Sequence, residues 1–353
     1  MITVYFMSLL VIVYLVTVIF TALLRRYAVN RELFDIPGER SSHTRITPKG
    51  GGLAIVVSFF GGISALTVSG VLPLNVFLAL MGGFIVALVG WVDDSRDVTV
   101  PVRLLAHFAA AGWAFYWAGG IYAFGIEKAG PVKGAFFVLA ALSALVWLIN
   151  LYNFMDGIDG IAAAETVFAA LAAGILLFSG SGAPLAWPLW ILAAATAGFL
   201  LWNWPPARIF MGDVSSGFLG FVLGVFIMAG AREGIMPVWP WLIILGVFLT
   251  DSMVTLLRRV VRGSRWYEAH CRHAYQHAAR RWGHLRTVLG VTAVNIFWLA
   301  PMSFIAWRFR EWGAVTALLA LVPLVYAAYR FKAGEEPVRG TLKERDHEYI
   351  SQI

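Results

Sequence analysis

The sequence has almost no cysteine and little charge. Cys271 is the one cysteine in 353 residues, which excludes an internal disulfide and a zinc site built from several cysteines. Charged residues make up 13% of the chain, whereas 60% of it is hydrophobic and its mean hydropathy is +0.77. A soluble domain cannot cover so much apolar surface, so the composition predicts an all-α integral membrane protein.

Long uncharged apolar runs recur, each close to the roughly 20 residues that a helix needs to cross a bilayer. They predict about eleven transmembrane helices in one polytopic domain over residues 1–333, followed by a polar cytoplasmic tail over 334–353. The predicted spans are 3–24, 51–69, 76–92, 103–119, 134–151, 161–179, 187–203, 215–230, 238–257, 288–307 and 313–330. The first run lacks a preceding basic residue and a cleavage site, so we expect a retained helix rather than a signal peptide.

The distribution of positive charge predicts the orientation. Of the 27 Lys and Arg residues, 22 fall in the loops and the tail on one side of the predicted spans. The positive-inside rule then predicts a cytoplasmic C-terminus and an N-terminus on the opposite, periplasmic side. The net charge of +7 indicates anionic partners, and anionic lipid or an anionic substrate would satisfy it equally.

Three acidic segments fall on the predicted cytoplasmic side. Adjacent carboxylates in Asp93-Asp94-Ser-Arg-Asp97 suit a Mg²⁺ site or a general base. The run Asn153-Phe-Met-Asp156-Gly-Ile-Asp159-Gly160 ends an apolar stretch, where polar side chains are a functional-site hypothesis by default. Asp213 is a third source of carboxylate. The alternatives are a solvated helix end for the first segment, a cap and turn for the second, and a helix cap for Asp213.

A glycine-rich segment, Pro48-Lys49-Gly50-Gly51-Gly52, leads into the second predicted helix. Such a segment can bind phosphate through free backbone N–H groups, although this one fits neither a Walker A nor a dinucleotide pattern. His43, Arg45 and Lys49 are the side chains here that can meet a phosphate. A flexible turn is the alternative.

Further basic residues lie in two later cytoplasmic loops. Arg208 follows two prolines just before Asp213. In the loop after the ninth span, a helix would place His270, His273 and His277 on one face. They could hold a metal, but the nearby arginines favour an anion such as a diphosphate, and a basic helix lying on lipid is the alternative. Asp251, Glu165 and His107 lie near cytoplasmic helix ends and receive no role.

The order of these motifs resembles the polyprenyl-phosphate N-acetylhexosamine-1-phosphate transferases. The motifs are Asp93-Asp94-x-x-Asp97, Asn153-x-x-Asp156-Gly-x-Asp159-Gly160, Phe210-Met-Gly-Asp213 and the His-x-x-His at 270 and 273, within a match over 34–286. The resemblance implies a cytoplasmic catalytic groove. It implies transfer of a sugar-1-phosphate from a UDP-sugar to undecaprenyl phosphate, with release of UMP, at the start of O-antigen or other envelope polysaccharide synthesis.

The resemblance also implies roles for individual residues, with Mg²⁺ as cofactor and Mn²⁺ as a substitute. The implied catalytic residues are Asp93, Asp94 and Asp156, and the implied metal ligands are Asp213 and Asp94. The implied substrate-binding residues are Asn153, Asp159, His43, Arg45, Lys49, Arg208, His270, Arg272 and His273. We expect as partners a UDP-N-acetylamino sugar, undecaprenyl phosphate and the lipid bilayer, a homodimer, and no nucleic acid.

The sequence departs from the family pattern at two places, the first of which concerns the geometry of the loop before the eighth predicted span without removing the implied metal ligand, and the second the substrate. Ser215 stands where the family often has glycine, and the histidine segment is not the triple-histidine block of the enzymes that transfer phospho-MurNAc-pentapeptide. The second departure favours the O-antigen-initiating branch, with GlcNAc or a 6-deoxy amino sugar such as FucNAc or QuiNAc. The peptidoglycan enzyme, an ion-coupled transporter and a non-catalytic scaffold are the alternatives. A transporter would keep its acidic groups near the bilayer midplane instead.

Overall fold

The computed structural model describes residues 2–38, 45–123, 130–263 and 271–336, and these are almost entirely helical. The helices are α1 Ile2–Asn30, α2 Leu53–Val68, α3 Leu74–Met81, α4 Gly83–Ser95, α5 Val100–Trp117, α6 Gly120–Ala123, α7 Pro131–Met155, α8 Ile161–Ser179, α9 Ala183–Asn203, α10 Asp213–Arg232, α11 Val238–Ile244, α12 Gly246–Val261, α13 Ala274–Trp282, α14 His284–Val294, α15 Ala300–Arg308 and α16 Gly313–Arg330. A π-helical turn, Asn295–Leu299, joins α14 to α15, and a 3₁₀ turn, Arg310–Trp312, precedes α16. Two short antiparallel strands, β1 Phe34–Asp35 and β2 Thr47–Pro48, follow α1.

The length and composition of the helices confirm a multi-pass, all-α membrane protein. Within the described residues, eight helices or helix pairs are long and apolar enough to cross a membrane, or nine when α11 and α12, bent by 79°, count as one span. The other two predicted spans coincide with α2, which has 16 residues, and with α5. The count of eleven and the orientation stay predictions.

The helix α10 lies at the centre of the bundle and packs against both α4 and α7. Glycines make these approaches close, because a Cβ on Gly220 would lie 2.3 Å from the carbonyl oxygen of Leu148 in α7. A Cβ on Gly90 of α4 would lie 2.1 Å from the carbonyl oxygen of Asp213. The C-terminal ends of α4 and α7 therefore meet the N-terminal end of α10.

A buried polar pair joins α8 to the π-helical turn. Asn295 Nδ2 donates to Glu165 Oε2 at 2.6 Å, and both residues are 1% exposed. Within the described residues the other oxygens, Glu165 Oε1 and Asn295 Oδ1, have no hydrogen-bond partner. Polar groups at this depth are costly unless they pair, so the contact fixes α14 against α8.

Replacing Glu165 with leucine is expected to lower the free energy of unfolding by about 1–3 kcal/mol, since the buried amide of Asn295 would lose its acceptor. The Glu165→Gln variant keeps an amide oxygen that can accept the same hydrogen bond and is the matched control. Thermal unfolding of both variants in detergent measures the difference. Equal midpoints for leucine and glutamine would show that the pair contributes nothing to stability.

Candidate active site

The first acidic segment folds onto the start of α10. Asp94 Oδ1 accepts the backbone N–H of Asp213 at 3.1 Å, and Asp94 Oδ2 accepts that of Val214 at 3.1 Å. These are N–H groups that a helix start leaves without an intrahelical partner. Gly212, the N-cap residue with a φ of +77°, packs so closely that a Cβ would lie 2.6 Å from Asp94 Oδ2. The cap of α10 is thus Asp94, from another helix, and not the side chain of Asp213 as one alternative held.

The side chain of Asp213 turns instead towards α7. Asn153 Nδ2 donates to Asp213 Oδ1 at 2.8 Å and also lies 3.1 Å from Ser216 Oγ. The carboxylate of Asp213 is 39% exposed, so it keeps access to the space beyond the helix ends. Asn153 and Asp213, 60 residues apart in sequence, therefore meet where α7 ends and α10 begins.

An arginine that the sequence did not single out neutralises Asp93. Arg103 Nη1 lies 2.6 Å from Asp93 Oδ2 and 4.0 Å from Asp213 Oδ2, and Asp93 Oδ1 accepts the backbone N–H of Val98 at 2.8 Å. Because these contacts hold Asp93 in place, the alternative of a freely solvated helix end is wrong for this residue. Arg103 thus brings a positive charge between the carboxylates of Asp93 and Asp213.

The second acidic segment is tied to two other parts of the chain. Asp159 Oδ2 accepts the backbone N–H of Ala207 at 3.0 Å and lies 3.2 Å from His284 Nδ1 at the start of α14. The buried side chain of Asn203 accepts the backbone N–H of Gly160 at 2.9 Å and donates to the carbonyl of Ile209 at 3.0 Å. The structure therefore holds this segment in a fixed position, beyond what a simple cap and turn would require.

These segments enclose one cavity of about 390 Å³. It is lined by Asp35, Lys49, Asp93, Asp94, Asn153, Asp156, Gly157, Ile158, Asp159, Asn203, Phe210, Met211, Gly212, Asp213, Gln276 and His284. Its size falls in the range of small-ligand sites. Seven predicted site residues line it: Lys49, Asp93, Asp94, Asn153, Asp156, Asp159 and Asp213. Sequence reasoning missed four lining residues that belong to no motif: Asp35 in β1, Asn203 at the end of α9, Gln276 in the first turn of α13 and His284 at the start of α14.

Other predicted substrate-binding residues lie elsewhere in the described structure. Arg45 is exposed, and Arg208 places its guanidinium 5.9 Å from the ring centre of Trp202. Arg272 Nη2 donates to Glu336 Oε1 at 2.7 Å. Direct contact of these three side chains with a ligand in the cavity has no support in this geometry. His43 and His270 lie outside the described residues.

His273 is buried against Asp251. The His273 side chain is 3% exposed, and its Nδ1 lies 3.2 Å from Asp251 Oδ1. Asp251 also accepts the backbone N–H groups of Ala274 at 2.8 Å and Tyr275 at 2.9 Å, so this carboxylate caps α13. The prediction that His273 belongs to a helix with His270 and His277 is wrong, because His273 is the N-cap residue in extended conformation. His273 is not among the residues that line the described cavity.

The glycine-rich segment serves packing. Gly51 N–H donates to the carbonyl of Phe210 at 3.0 Å and Gly52 N–H to that of Met211 at 2.9 Å. A Cβ on Gly52 would lie 1.7 Å from Ser215 Oγ. The predicted free N–H groups for phosphate binding are therefore already used at these two positions, and Gly51 and Gly52 form a hydrogen-bonded turn that leads into α2. Lys49 remains as the positive charge that this segment brings to the cavity.

The donor set of the cavity fits a hard divalent cation. Burial raises the pKa of Asp156 well above its ordinary value, and Asp213, Asp94 and Asp159 raise it further. Within the part of the chain that is described, no three Asp, Glu, His or Cys side chains are grouped closely enough to hold an ion alone. Mg²⁺ in phosphate sites is usually held by one or two carboxylates together with the substrate phosphates. The crowded carboxylates of Asp213, Asp94 and Asp156 suit that arrangement.

The chain is similar to several characterised groups of membrane transferases. Residues 76–231 match the family described as Glycosyl transferase family 4. The chain is 28% identical over 263 residues to a probable undecaprenyl-phosphate N-acetylglucosaminyl 1-phosphate transferase from Bacillus subtilis, covering 71% of each protein. It is 27% identical over 340 residues to an undecaprenyl-phosphate alpha-N-acetylglucosaminyl 1-phosphate transferase from Yersinia pestis, covering 91% of this chain and 90% of that protein. It is 30% identical over 229 residues to a phospho-N-acetylmuramoyl-pentapeptide-transferase from Moorella thermoacetica, covering 61% of this chain and 69% of that protein.

The apolar bundle, the acidic cavity at its helix ends and these matches define a membrane-embedded transferase. The chain belongs to glycosyl transferase family 4, the family of the polyprenyl-phosphate N-acetylhexosamine-1-phosphate transferases. The similar proteins include N-acetylglucosaminyl 1-phosphate transferases and phospho-N-acetylmuramoyl-pentapeptide-transferases. Membership of the family therefore does not identify the sugar that this chain transfers.

Proposed function

We propose that the protein transfers a sugar-1-phosphate from a UDP-N-acetylhexosamine to undecaprenyl phosphate at the cytoplasmic face of a bacterial inner membrane. The observation that carries this proposal is the meeting of Asp93, Asp94, Asp156 and Asp213 around one cavity that also receives Lys49. A phosphate oxygen of the lipid attacks the sugar-bearing phosphorus of the donor. The bond from that phosphorus to the UMP oxygen breaks, and UMP leaves.

The residues of the chain supply positioning and charge, which is most of what phosphoryl transfer requires. Asp213 and Asp94 are the proposed ligands of Mg²⁺, or of Mn²⁺ in its place. The bound ion would neutralise the diphosphate. Asp93, which lines the cavity and is held in place by Arg103, is the proposed acceptor of the remaining proton of the attacking phosphate. Arg103 and Lys49 offset negative charge that builds up on the phosphates.

Asn153 and Asp156 hold the donor beside Asp213, and Asp159 with His284 forms the part of the cavity left for the rest of the nucleotide sugar. For the sugar, we propose GlcNAc or a 6-deoxy amino sugar such as FucNAc or QuiNAc, with a role in starting O-antigen or another envelope polysaccharide. The support is the histidine segment, which lacks the triple-histidine block of the pentapeptide-sugar enzymes.

Purified protein given undecaprenyl phosphate and labelled UDP-sugars is expected to form butanol-extractable label and UMP in equal amounts. UDP-GlcNAc, UDP-FucNAc, UDP-QuiNAc and UDP-MurNAc-pentapeptide make a panel that identifies the donor. Chelation with EDTA is expected to abolish the reaction, and added Mg²⁺ to restore it, since the cavity is strongly acidic. Exclusive use of UDP-MurNAc-pentapeptide would overturn the proposed sugar class. Full turnover in EDTA would overturn the metal assignment.

A further inference from the structure

The segment formed by residues 331–336, which follows α16, folds back onto α12 and α13. Ala333 is completely buried there, and its carbonyl oxygen accepts a hydrogen bond from Arg258 Nη1 at 2.8 Å. The backbone N–H of Gly334 donates to the carbonyl of Arg272 at 2.7 Å. Phe331 packs edge-to-face on Trp282, with ring centres 5.1 Å apart. The segment is therefore a built part of the fold.

The segment lies closest to α12 at Gly334. Its φ is +78°, a conformation that side chains other than glycine rarely adopt. A Cβ at this position would lie 2.9 Å from the Cβ of Arg258 and 3.0 Å from the carbonyl oxygen of Thr255. The chain thus needs glycine here to reach α12.

Two glutamates of the segment face arginines that come from both sides of residues 264–270. Glu335 pairs with Arg258 and, at 3.1 Å, with Arg262 near the end of α12. Glu336 pairs with Arg272 at 2.7 Å, just before α13. Burial alone would raise the pKa of Glu335, but the hydrogen bonds from Arg262 and Arg258 and their positive charges together lower it, so the carboxylate is charged at neutral pH.

The helix that this segment holds reaches the cavity. Gln276 of α13 lines the cavity, and a Cβ on Gly157 would lie 3.0 Å from Gln276 Nε2 and 2.2 Å from Tyr275 Oη. Tyr275 Oη also donates to the carbonyl of Phe154 at 3.0 Å. A shift of α13 would therefore disturb the segment between Asp156 and Asp159, on which donor binding depends.

We propose that Glu335 is a positioning residue for the transferase reaction. Its ion pairs with Arg258 and Arg262 hold the segment formed by residues 331–336 on α12, and the contacts of the same segment with Arg272 and Trp282 hold α13. Gln276 and Tyr275 of α13 are thereby kept against the substrate-binding segment. Glu335 itself does not line the cavity in the described structure. The inference rests on the proposed function, because its effect is measured as binding of the UDP-sugar. Because Glu335 acts through ion pairs with two arginines, we expect the charge of residue 335 to affect the KM more than the shape of its side chain does.

The test is steady-state kinetics on the full chain with the donor identified above. Glu335→Gln is expected to raise the KM for the UDP-sugar roughly threefold and Glu335→Arg roughly tenfold, with kcat within about twofold of the unchanged protein. The double variant Arg262→Glu with Glu335→Arg restores one of the two opposite-charge pairs, while Arg258 still repels the new arginine, and is therefore expected to recover part of the loss. At about 1 M salt the difference between Glu335→Gln and the unchanged protein should shrink, because exposed ion pairs are then screened.

Glu233→Gln is the matched control, since Glu233 is an exposed glutamate whose partner is the neighbouring Arg232 at 3.8 Å. Its KM is expected to stay unchanged. An unchanged KM in Glu335→Arg, a failure of the charge swap to restore binding, or a rise in turnover on loss of Glu335 would each overturn the proposal. Absence of product from the unchanged protein would instead overturn the proposed function, which separates the two failures.

Discussion

Replacing Asp213 with asparagine is expected to reduce kcat by about a hundredfold to a thousandfold, the size of effect seen when one electrostatic contact to a transition state is removed. The substitution keeps the shape of the side chain and an oxygen that can accept from Asn153. It also leaves intact the backbone N–H that Asp94 accepts. The loss would therefore come from the missing charge. Turnover assayed over a range of Mg²⁺ concentrations measures it.

The control for this prediction is Asp97→Asn, which removes a charge from the same acidic motif as Asp93. Asp97 is exposed and does not belong to the residues that line the described cavity. Its replacement is expected to leave kcat within about twofold, as for an exposed charge that contacts no substrate. If both variants lost activity equally, net charge near the membrane surface would be responsible, and the assignment of Asp213 as a metal ligand would be wrong. Full Mg²⁺-dependent turnover in Asp213→Asn would contradict it directly.

The meeting of the acidic segments could be predicted from the sequence because it depends on where the apolar runs begin and end. Asp93, Asn153 and Asp213 each stand where an apolar run ends or begins, and runs of span length place those ends at one surface. Charge patterning then indicated which surface, although the orientation itself stays a prediction. The location of these residues at helix ends thus followed from the ends of the apolar runs.

The partners of those residues could not be predicted in the same way. Arg103 lies ten positions after Asp93, and its contact depends on how the turn before α5 folds back. His284 reaches the cavity because α14 packs against α8, and Gln276 because α13 lies against the end of α7 and the residues that follow it. No local sequence pattern indicates either contact. The sequence predicted His273 as a substrate-binding residue. Its side chain is buried instead, and its Nδ1 lies 3.2 Å from Oδ1 of Asp251, 22 residues earlier in the chain. Tertiary contacts decide each of these cases.

Replacing Gly90 with alanine is expected to reduce kcat/KM by about a hundredfold, even though alanine favours a helix more than glycine does. The new Cβ would lie 2.1 Å from the backbone carbonyl oxygen of Asp213, far inside van der Waals contact, and backbone cannot rotate away as a side chain can. The start of α10 must move by about 1 Å, which separates Asp213 from Asp94. We also expect the free energy of unfolding to fall by about 1–3 kcal/mol from overpacking.

Gly112→Ala provides the matched control, because Gly112 also lies inside a helix, α5, but no described atom outside its own helix lies within 4 Å of the place that an added methyl group would take. There the helix preference of alanine should act alone and leave both stability and kcat/KM equal or slightly improved. Thermal unfolding and donor kinetics on the two variants separate the effects. A Gly90→Ala protein that is stable but inactive would show that the distance between α4 and α10 sets the catalytic geometry. Unchanged kinetics in that variant would mean that the close contact is dispensable, and the placement of Asp213 would then need another cause.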